Sequence, residues 1–343
     1  MSVAACALGV RQPALDAETA AFFAEAKPWA FILFREACVS RAQVQALTAS
    51  LREAAGRDAV IFIDQEGGRV ARLRPPEWPS FPAARAYGDL YAHSREMGVE
   101  AAWLGFRLIA AELRAIGVDG DYAPVLDRPI NGADPIIGDR AFAREGETIA
   151  VLGAAALAGL AAGGVCGCVK HMPGHGRAEA DSHLVLPRVA TDRMALRADF
   201  APFAALAEAP AAMTAHIVYE GVDPLRPATC SSIVIEDVIR GEIGFDGLLM
   251  SDDLDMKAMA AVSEGLAGRA AAALAAGCDV VLQCSGALAD MRAVMEGVSP
   301  LAGRALTRAR AADLFAKRPP QPFDADAGWA RFRELLSATG AVA

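Results

Sequence analysis

The chain has 343 residues, 54% of them hydrophobic, 22% charged and 6% aromatic, with a formal net charge of −9. That length holds a large core without a metal or disulfide staple, and although it allows two or three domains, α/β barrels reach it as one unit. The negative balance excludes sequence-independent binding to DNA or RNA, which needs a positive field, but not an acidic ligand, because a local group of Arg and Lys can override the global charge.

The opening MSVAACALGV lacks the basic stretch and long apolar stretch of a secretory signal. No uncharged apolar run reaches the roughly 18 residues of a membrane span. A soluble cytoplasmic protein is expected. Short apolar runs then alternate with longer helical patterns, as βα units around a parallel sheet do. Strands are predicted at residues 3–8, 30–34, 59–63, 120–124, 165–169, 211–216, 248–251 and 280–283. Each is nearly all apolar, as strands buried on both faces are. Helices are predicted at 15–27, 40–55, 96–116, 148–162, 192–209, 232–243, 266–276 and 288–297. The second has Ser40 as N-cap and Val44, Leu47 and Leu51 on its apolar stripe. Alanine, at roughly a fifth of the chain against a much lower ordinary usage, suits many packed helices. Eight strands each followed by a helix predict a (β/α)8 barrel. The rival, a doubly wound open sheet, lacks its GxGxxG fingerprint after the first strand. The only boundary-like segment is Pro-rich 318–323, so residues 1–343 are expected to form a single catalytic barrel with a short C-terminal tail from about 318.

Seven cysteines, at 6, 38, 166, 168, 230, 278 and 284, form no CxxC pair, so zinc-ribbon and thioredoxin readings lack support and buried reduced thiols are expected. Active sites on such barrels form at the C-terminal ends of the strands, where the polar residues of this sequence fall. Asp64-Gln65-Glu66-Gly67-Gly68-Arg69 and Arg72 follow the third strand, and Asp127 and the Gly138-Asp139-Arg140 loop follow the fourth. Lys170-His171-Met172-Pro173-Gly174-His175-Gly176 and Asp181-Ser182-His183 follow the fifth, Thr214-Ala215-His216 ends the sixth, and Ser251-Asp252-Asp253-Leu254-Asp255 ends the seventh. His171 and His175 have the four-residue spacing of a zinc-binding helix, but Pro173-Gly174 between them forbids that helix; a site of scattered His and Asp ligands remains a rival. Asp181, two residues before His183, is placed to accept an imidazole N–H and support a histidine acid near neutral pH. No serine stands in a GxSxG setting, which leaves carboxylates, Asp252 and Asp253 foremost, as nucleophiles for an electrophilic carbon, the logic of a glycosidase. The plain alternative for the DQEGGRV loop is a tight turn whose glycines serve backbone geometry.

The motifs DQEGGRVAR, IGDR, KHMPGHG with DSH, and SDDLDM, in that order over about residues 28–285, resemble family 3 glycoside hydrolases. More narrowly they resemble the single-domain bacterial β-N-acetylglucosaminidases of peptidoglycan recycling. The resemblance implies a (β/α)8 barrel and a retaining exo-enzyme that releases N-acetylglucosamine from muropeptide fragments without cofactor or metal. It implies Asp252 as the nucleophile, His183 as the acid/base and Asp181 as its partner, with Asp64, Arg72, Arg140, Lys170 and His171 gripping the sugar. With the charge and the lack of a long apolar run, no nucleic-acid or membrane partner is expected, and a monomer is expected. Met172 stands where the family usually has phenylalanine, a swap between bulky apolar residues that should be tolerated. Asp255 stands where serine or asparagine is common, which adds charge near the nucleophile. The rivals are a related glycosidase or phosphorylase of other sugar specificity, a metal-dependent hydrolase on the same barrel, and a binding module.

Overall fold

The structure is a computed structural model that describes residues 2–182 and 184–338. Eight parallel strands close into a barrel: β1 (Ala4–Val10), β2 (Pro28–Leu33), β3 (Val60–Ile63), β4 (Gly120–Asp121), β5 (Cys166–Met172), β6 (Ala211–Thr214), β7 (Leu248–Asp253) and β8 (Val280–Gln283). Each pairs in parallel with its chain neighbours, and β1 closes the ring against β8 with Leu8 opposite Gln283. The predicted fold class is therefore the observed one. All eight predicted strands are present. The main difference is at β5, which runs on to Met172 and so carries Lys170 and His171 within the strand. Apolar patterning stops at Val169 because these two side chains belong to the polar end of the barrel.

Helices pack outside. They are α1 (Ala17–Ala26), α2 (Arg41–Ala55), α3 (Ala84–His93), α4 (Arg95–Ala115), α5 (Gly146–Ala162), α6 (Arg193–Ala205), α7 (Leu266–Ala276), α8 (Leu288–Met295), α9 (Gly303–Ala316) and α10 (Ala325–Ser337). Local chemistry starts several of them. Asp16 caps α1 through Thr19 N, and Ser40 and Gln43 form a capping box on α2, each satisfying otherwise orphaned N–H groups. The predicted helix at 232–243 is a π-helical segment over Val234–Glu242. Three helices, α3, α9 and α10, were not anticipated. Inside α3, a Cβ at Gly88 would lie 1.8 Å from the Phe142 carbonyl oxygen, so the residue that weakens the helical pattern is the one that lets the backbone approach.

Two large apolar cores result, beside a small cluster of Val125, Ile137 and Ala141. One lies between barrel and helices; the other fills the barrel with Ile32, Val60, Phe62, Cys168, Met213, Met250 and Leu282. Ala309, Ala312 and Ala316 of α9 join that inner core alongside Ala5, Trp29 and Cys166, residues from the strands' N-terminal halves. Helix α9 thus covers one mouth of the barrel and leaves the C-terminal mouth for chemistry. Beyond 318, α10 packs on α4, with buried Phe332 among the rings of Phe81, Tyr87 and Trp329. All seven cysteines are free thiols. No helix among the described residues is long and apolar enough to cross a membrane.

Candidate active site

At the C-terminal mouth lies a cavity of about 550 Å³. Residues that follow the barrel strands build it: Arg11 after β1, Phe34 after β2, Asp64 after β3, Lys170 and His171 at the end of β5, Asp252 and Asp253 at the end of β7, and Cys284 after β8. Of the residues singled out from the sequence, Asp64, Arg72, Arg140, Lys170, His171 and Asp252 all line this one cavity.

The loop after β3 shows how the motif folds. Residues Gln65–Gly67 and Val70–Ala71 form a small antiparallel hairpin. Gly67 and Gly68 take φ of +95° and +56°, and a Cβ at Gly67 would lie 2.2 Å from the Pro82 carbonyl oxygen. Buried Gln65 clamps the return strand: its Oε1 accepts from the N–H groups of Arg72 and Leu73, each at 3.0 Å, and its Nε2 donates to Leu73 O at 3.1 Å. The turn thereby brings Arg72 back onto Asp64. The glycines do serve backbone geometry; the charged residues on either side of them serve the cavity.

A tight ionic network follows. Asp64 accepts from Arg72 Nη2 and Lys170 Nζ, both at 2.9 Å. Lys170 Nζ also lies 2.7 Å from Glu66 Oε1, and Glu66 takes a two-pronged contact from Arg140 at 2.8 and 2.9 Å. Burial opposes charge on both carboxylates, but Lys170 and Arg72 outweigh it at Asp64 and hold that group well below the usual carboxylate range. At Glu66, Arg140 and Lys170 outweigh burial and bring it to about 2. In the same way burial disfavours charge on Lys170, and Asp64 and Glu66 more than reverse that, raising it above the ordinary lysine value. Three cations against two ionised carboxylates leave the cavity floor with a fixed positive excess, rigidly aimed by two-sided contacts. Such a floor donates hydrogen bonds to hydroxyl or amide oxygens, while Asp64 accepts from hydroxyl groups.

Beside it, Asp127 organises the loop after β5. Its Oδ1 accepts from the N–H groups of His171 (3.1 Å) and His175 (2.6 Å), and its Oδ2 lies 2.7 Å from His171 Nδ1. Burial, then the neighbouring His171, pushes His175 down to about 4, so this ring is neutral near pH 7. Its Nε2 lies 3.0 Å from Ser182 Oγ. The two rings sit edge to face with centroids 5.7 Å apart, and each turns a nitrogen to a partner other than a shared centre. No group of three or more His, Cys, Asp or Glu suited to a metal ion occurs among the described residues. Ser182 lines the cavity. Asp181 is half-buried beside it, its carbonyl accepting from Leu184 and Val185 N–H. His183 lies outside the described residues. Met172 is wholly buried.

At the end of β7, Asp252 Oδ1 accepts from Asp253 N–H at 2.8 Å. Asp253 Oδ1 accepts from the N–H groups of Asp255 (3.0 Å) and Cys284 (3.1 Å). Asp255 turns to the end of β8, accepting from Cys284 N–H, Ser285 N–H and Gln283 Nε2 at 3.0, 2.8 and 2.9 Å. Burial, then the charge of Asp255, pushes Asp253 up to about 8. The extra carboxylate therefore ties two strand ends together and acts on Asp253.

A further buried acid lies beneath the floor. Asp121 Oδ1 accepts from Gln65 N–H at 2.9 Å, and its Oδ2 has no hydrogen-bond partner among the described residues. Burial pushes it from an ordinary 3.8 to about 8. Between those values the folded state holds a proton that the unfolded chain lacks, so wild-type stability falls as pH rises through that window. Asp121→Asn carries no such proton and keeps the acceptor for Gln65. Its stability relative to wild type is expected to rise by roughly 4 kcal/mol between about pH 5 and pH 8 in urea unfolding. A difference that stays constant with pH would show that Asp121 is not protonated.

Glu66, Asp127 and His175 were visible in the motifs but had no assigned place in the site. Arg11 and Phe34 were not singled out: the predicted first strand ends at residue 8 and the predicted second includes Phe34, whereas in the structure each directly follows its strand, where a barrel's active site forms. Arg11 lies over the Phe34 ring at 4.1 Å and Arg72 at 5.3 Å from its centroid.

The profile described as the glycosyl hydrolase family 3 N-terminal domain matches residues 9–312. The chain is 41% identical over 258 residues to a beta-hexosaminidase of Bordetella avium, covering 74% of this chain and 73% of that one. With a beta-hexosaminidase of Xylella fastidiosa it shares 39% identity over 303 residues, 87% of each. Its fold matches the crystal structure of NagZ from Neisseria gonorrhoeae in complex with N-trifluoroacetyl-D-glucosamine with a TM-score of 0.84 and 31% identity, over 98% of this chain and 97% of that one. A family profile spanning nearly the whole barrel, and relatives matched over most of their own length, lead to one conclusion: the chain belongs to glycosyl hydrolase family 3 and is a glycoside hydrolase.

Proposed function

We propose that the chain is a retaining exo-β-N-acetylglucosaminidase, with the whole of 1–343 serving as a single catalytic barrel and its C-terminal tail. Asp252 attacks the anomeric carbon and forms a covalent glycosyl-enzyme as the glycosidic C–O bond breaks. His183, protonated and oriented by Asp181, gives its proton to the departing oxygen. Neutral His183 then takes a proton from water, whose oxygen attacks the same carbon and releases Asp252, so the sugar leaves with β configuration. Asp64, Arg72, Arg140, Lys170 and His171 hold the terminal N-acetylglucosamine. The natural substrates are N-acetylglucosaminyl-anhydromuramoyl peptides in the cytoplasm, and the enzyme acts as a monomer without metal or cofactor.

One observation carries this reading: Asp252 opens onto the same cavity as the rigid Asp64–Lys170–Glu66–Arg140 network. An attacking carboxylate thus faces a floor built to hold hydroxyl and amide groups. The names of the bacterial relatives and the N-acyl-glucosamine in the Neisseria gonorrhoeae complex support N-acetylglucosamine as the sugar. The test compares nitrophenyl β-N-acetylglucosaminide with nitrophenyl β-glucoside, with and without phosphate, and follows the product by NMR. Preference for the acetamido substrate and β-N-acetylglucosamine as first product, unchanged by phosphate, are expected. A glucoside preference, or accumulation of a sugar phosphate, would overturn it.

A further inference from the structure

The cavity changes character from floor to mouth. Arg140 and Arg72, in contact with Glu66 and Asp64, are 10% and 26% exposed, whereas Arg11 and Arg69 at the mouth are 40% and 47% exposed. Arg35 and Arg74 line the same mouth. Four guanidinium groups therefore line the outer part of the cavity in a chain whose net charge is −9. Like charges so grouped repel one another, and helical or sheet packing does not require them here: all four lie in loops outside the barrel strands and main helices or in the short turn Arg35–Ala37.

How each is fixed matters. Arg11 donates from Nε to the Cys284 carbonyl at 3.1 Å and lies over the Phe34 ring. Arg74 donates to the carbonyls of Ala71 and Arg69 at 2.8 and 2.7 Å, and Arg69 donates to the carbonyls of Pro135 and Ile136. Carbonyl oxygens and an aromatic face orient a guanidinium without neutralising it. Among the described residues carboxylates meet two of the four: Glu36 at 3.1 Å from Arg11 and Asp139 at 3.5 Å from Arg69. Arg35 and Arg74 form no ion pair among the described residues. The mouth thus keeps a positive excess, and that excess lies outward of the floor on which the terminal sugar would sit.

We infer that the arginine rim of Arg11, Arg35, Arg69 and Arg74 is a binding site for carboxylate groups on the leaving part of the substrate, with Arg35 and Arg74 as its uncompensated charges. It rests on the glycosidase reading and adds which residues select the aglycone. The contacts are partly exposed, so each arginine has a modest, salt-sensitive effect, and the selectivity comes from several together.

The probes are an N-acetylglucosaminyl-anhydromuramoyl peptide with its peptide carboxylates free, the same compound with those carboxylates converted to methyl amides, and neutral nitrophenyl N-acetylglucosaminide. The scissile bond and leaving oxygen are the same in the first two compounds. Wild type is expected to favour the free acid by about 10-fold in kcat/KM at low salt, a preference that shrinks as NaCl is raised. Arg35→Gln/Arg74→Gln is expected to lower that preference to about 2-fold or less while nitrophenyl hydrolysis stays within about 2-fold of wild type. Equal rates on acid and amide in wild type, with nitrophenyl substrate still hydrolysed, would overturn the rim alone, as would a preference that survives the double substitution. Failure to hydrolyse nitrophenyl N-acetylglucosaminide at all would overturn the glycosidase reading and the rim with it.

Discussion

Asp252→Ala is expected to lower kcat by about 10⁴-fold on every substrate, because it removes the atom that bonds to the sugar carbon. Its neighbour should behave differently. Asp253 has one carboxylate oxygen engaged by the N–H groups of Asp255 and Cys284, and burial with the Asp255 charge pushes it up to about 8. A carboxyl that holds its proton near pH 7 is a poor nucleophile. Asp253→Asn should therefore keep far more activity than Asp252→Ala, while losing some stability through the strand-end contacts it organises. Steady-state kinetics on both variants, with melting curves to confirm folding, separate the two. Wild-type turnover in Asp252→Ala would remove it from the mechanism.

The second large effect concerns His183. His183→Ala is expected to cost about 10³-fold on disaccharides, whose alkoxide leaving groups need a proton, and much less on nitrophenyl glycosides, whose phenolate departs unaided. The comparison reads proton donation directly, because a general loss of binding or folding would lower both rates alike. Equal losses on the two substrate types would mean that another group supplies the proton.

The fold was legible because the physics that builds a parallel barrel leaves a plain mark: strands covered on both faces must be continuously apolar. Runs such as Val60–Ile63 and Val280–Gln283 are visible for that reason. The pattern fails where strands enter the polar mouth, as at Lys170 and His171, and where close packing demands a residue that weakens a helix, as at Gly88 in α3. A π-helical turn at Val234–Glu242 has nearly the same apolar spacing as an α-helix, so sequence alone could not separate them.

The site was legible as a set of strand ends but not as a network. Asp64 and Lys170 are 106 residues apart and meet at 2.9 Å, a contact only the closed barrel creates. Glu66 sits in a loop that could pass for a plain tight turn, yet Arg140 and Lys170 enclose it. Arg11 and Phe34 carry no motif, and only the observed ends of β1 and β2, which differ from the predicted ones, mark them. Asp255 is visible in the sequence only as added charge near Asp252; the three hydrogen bonds its carboxylate accepts at the end of β8 are not.

The central claim is a covalent sugar on Asp252, and intact-mass spectrometry after incubation with an activated 2-fluoro-glycosyl donor tests it most directly. One added sugar residue per chain, located by peptide mapping on Asp252 and missing from Asp252→Ala, is the expected result. An adduct on Asp253 or any other side chain, or steady turnover of the donor with inversion and no adduct, would contradict it.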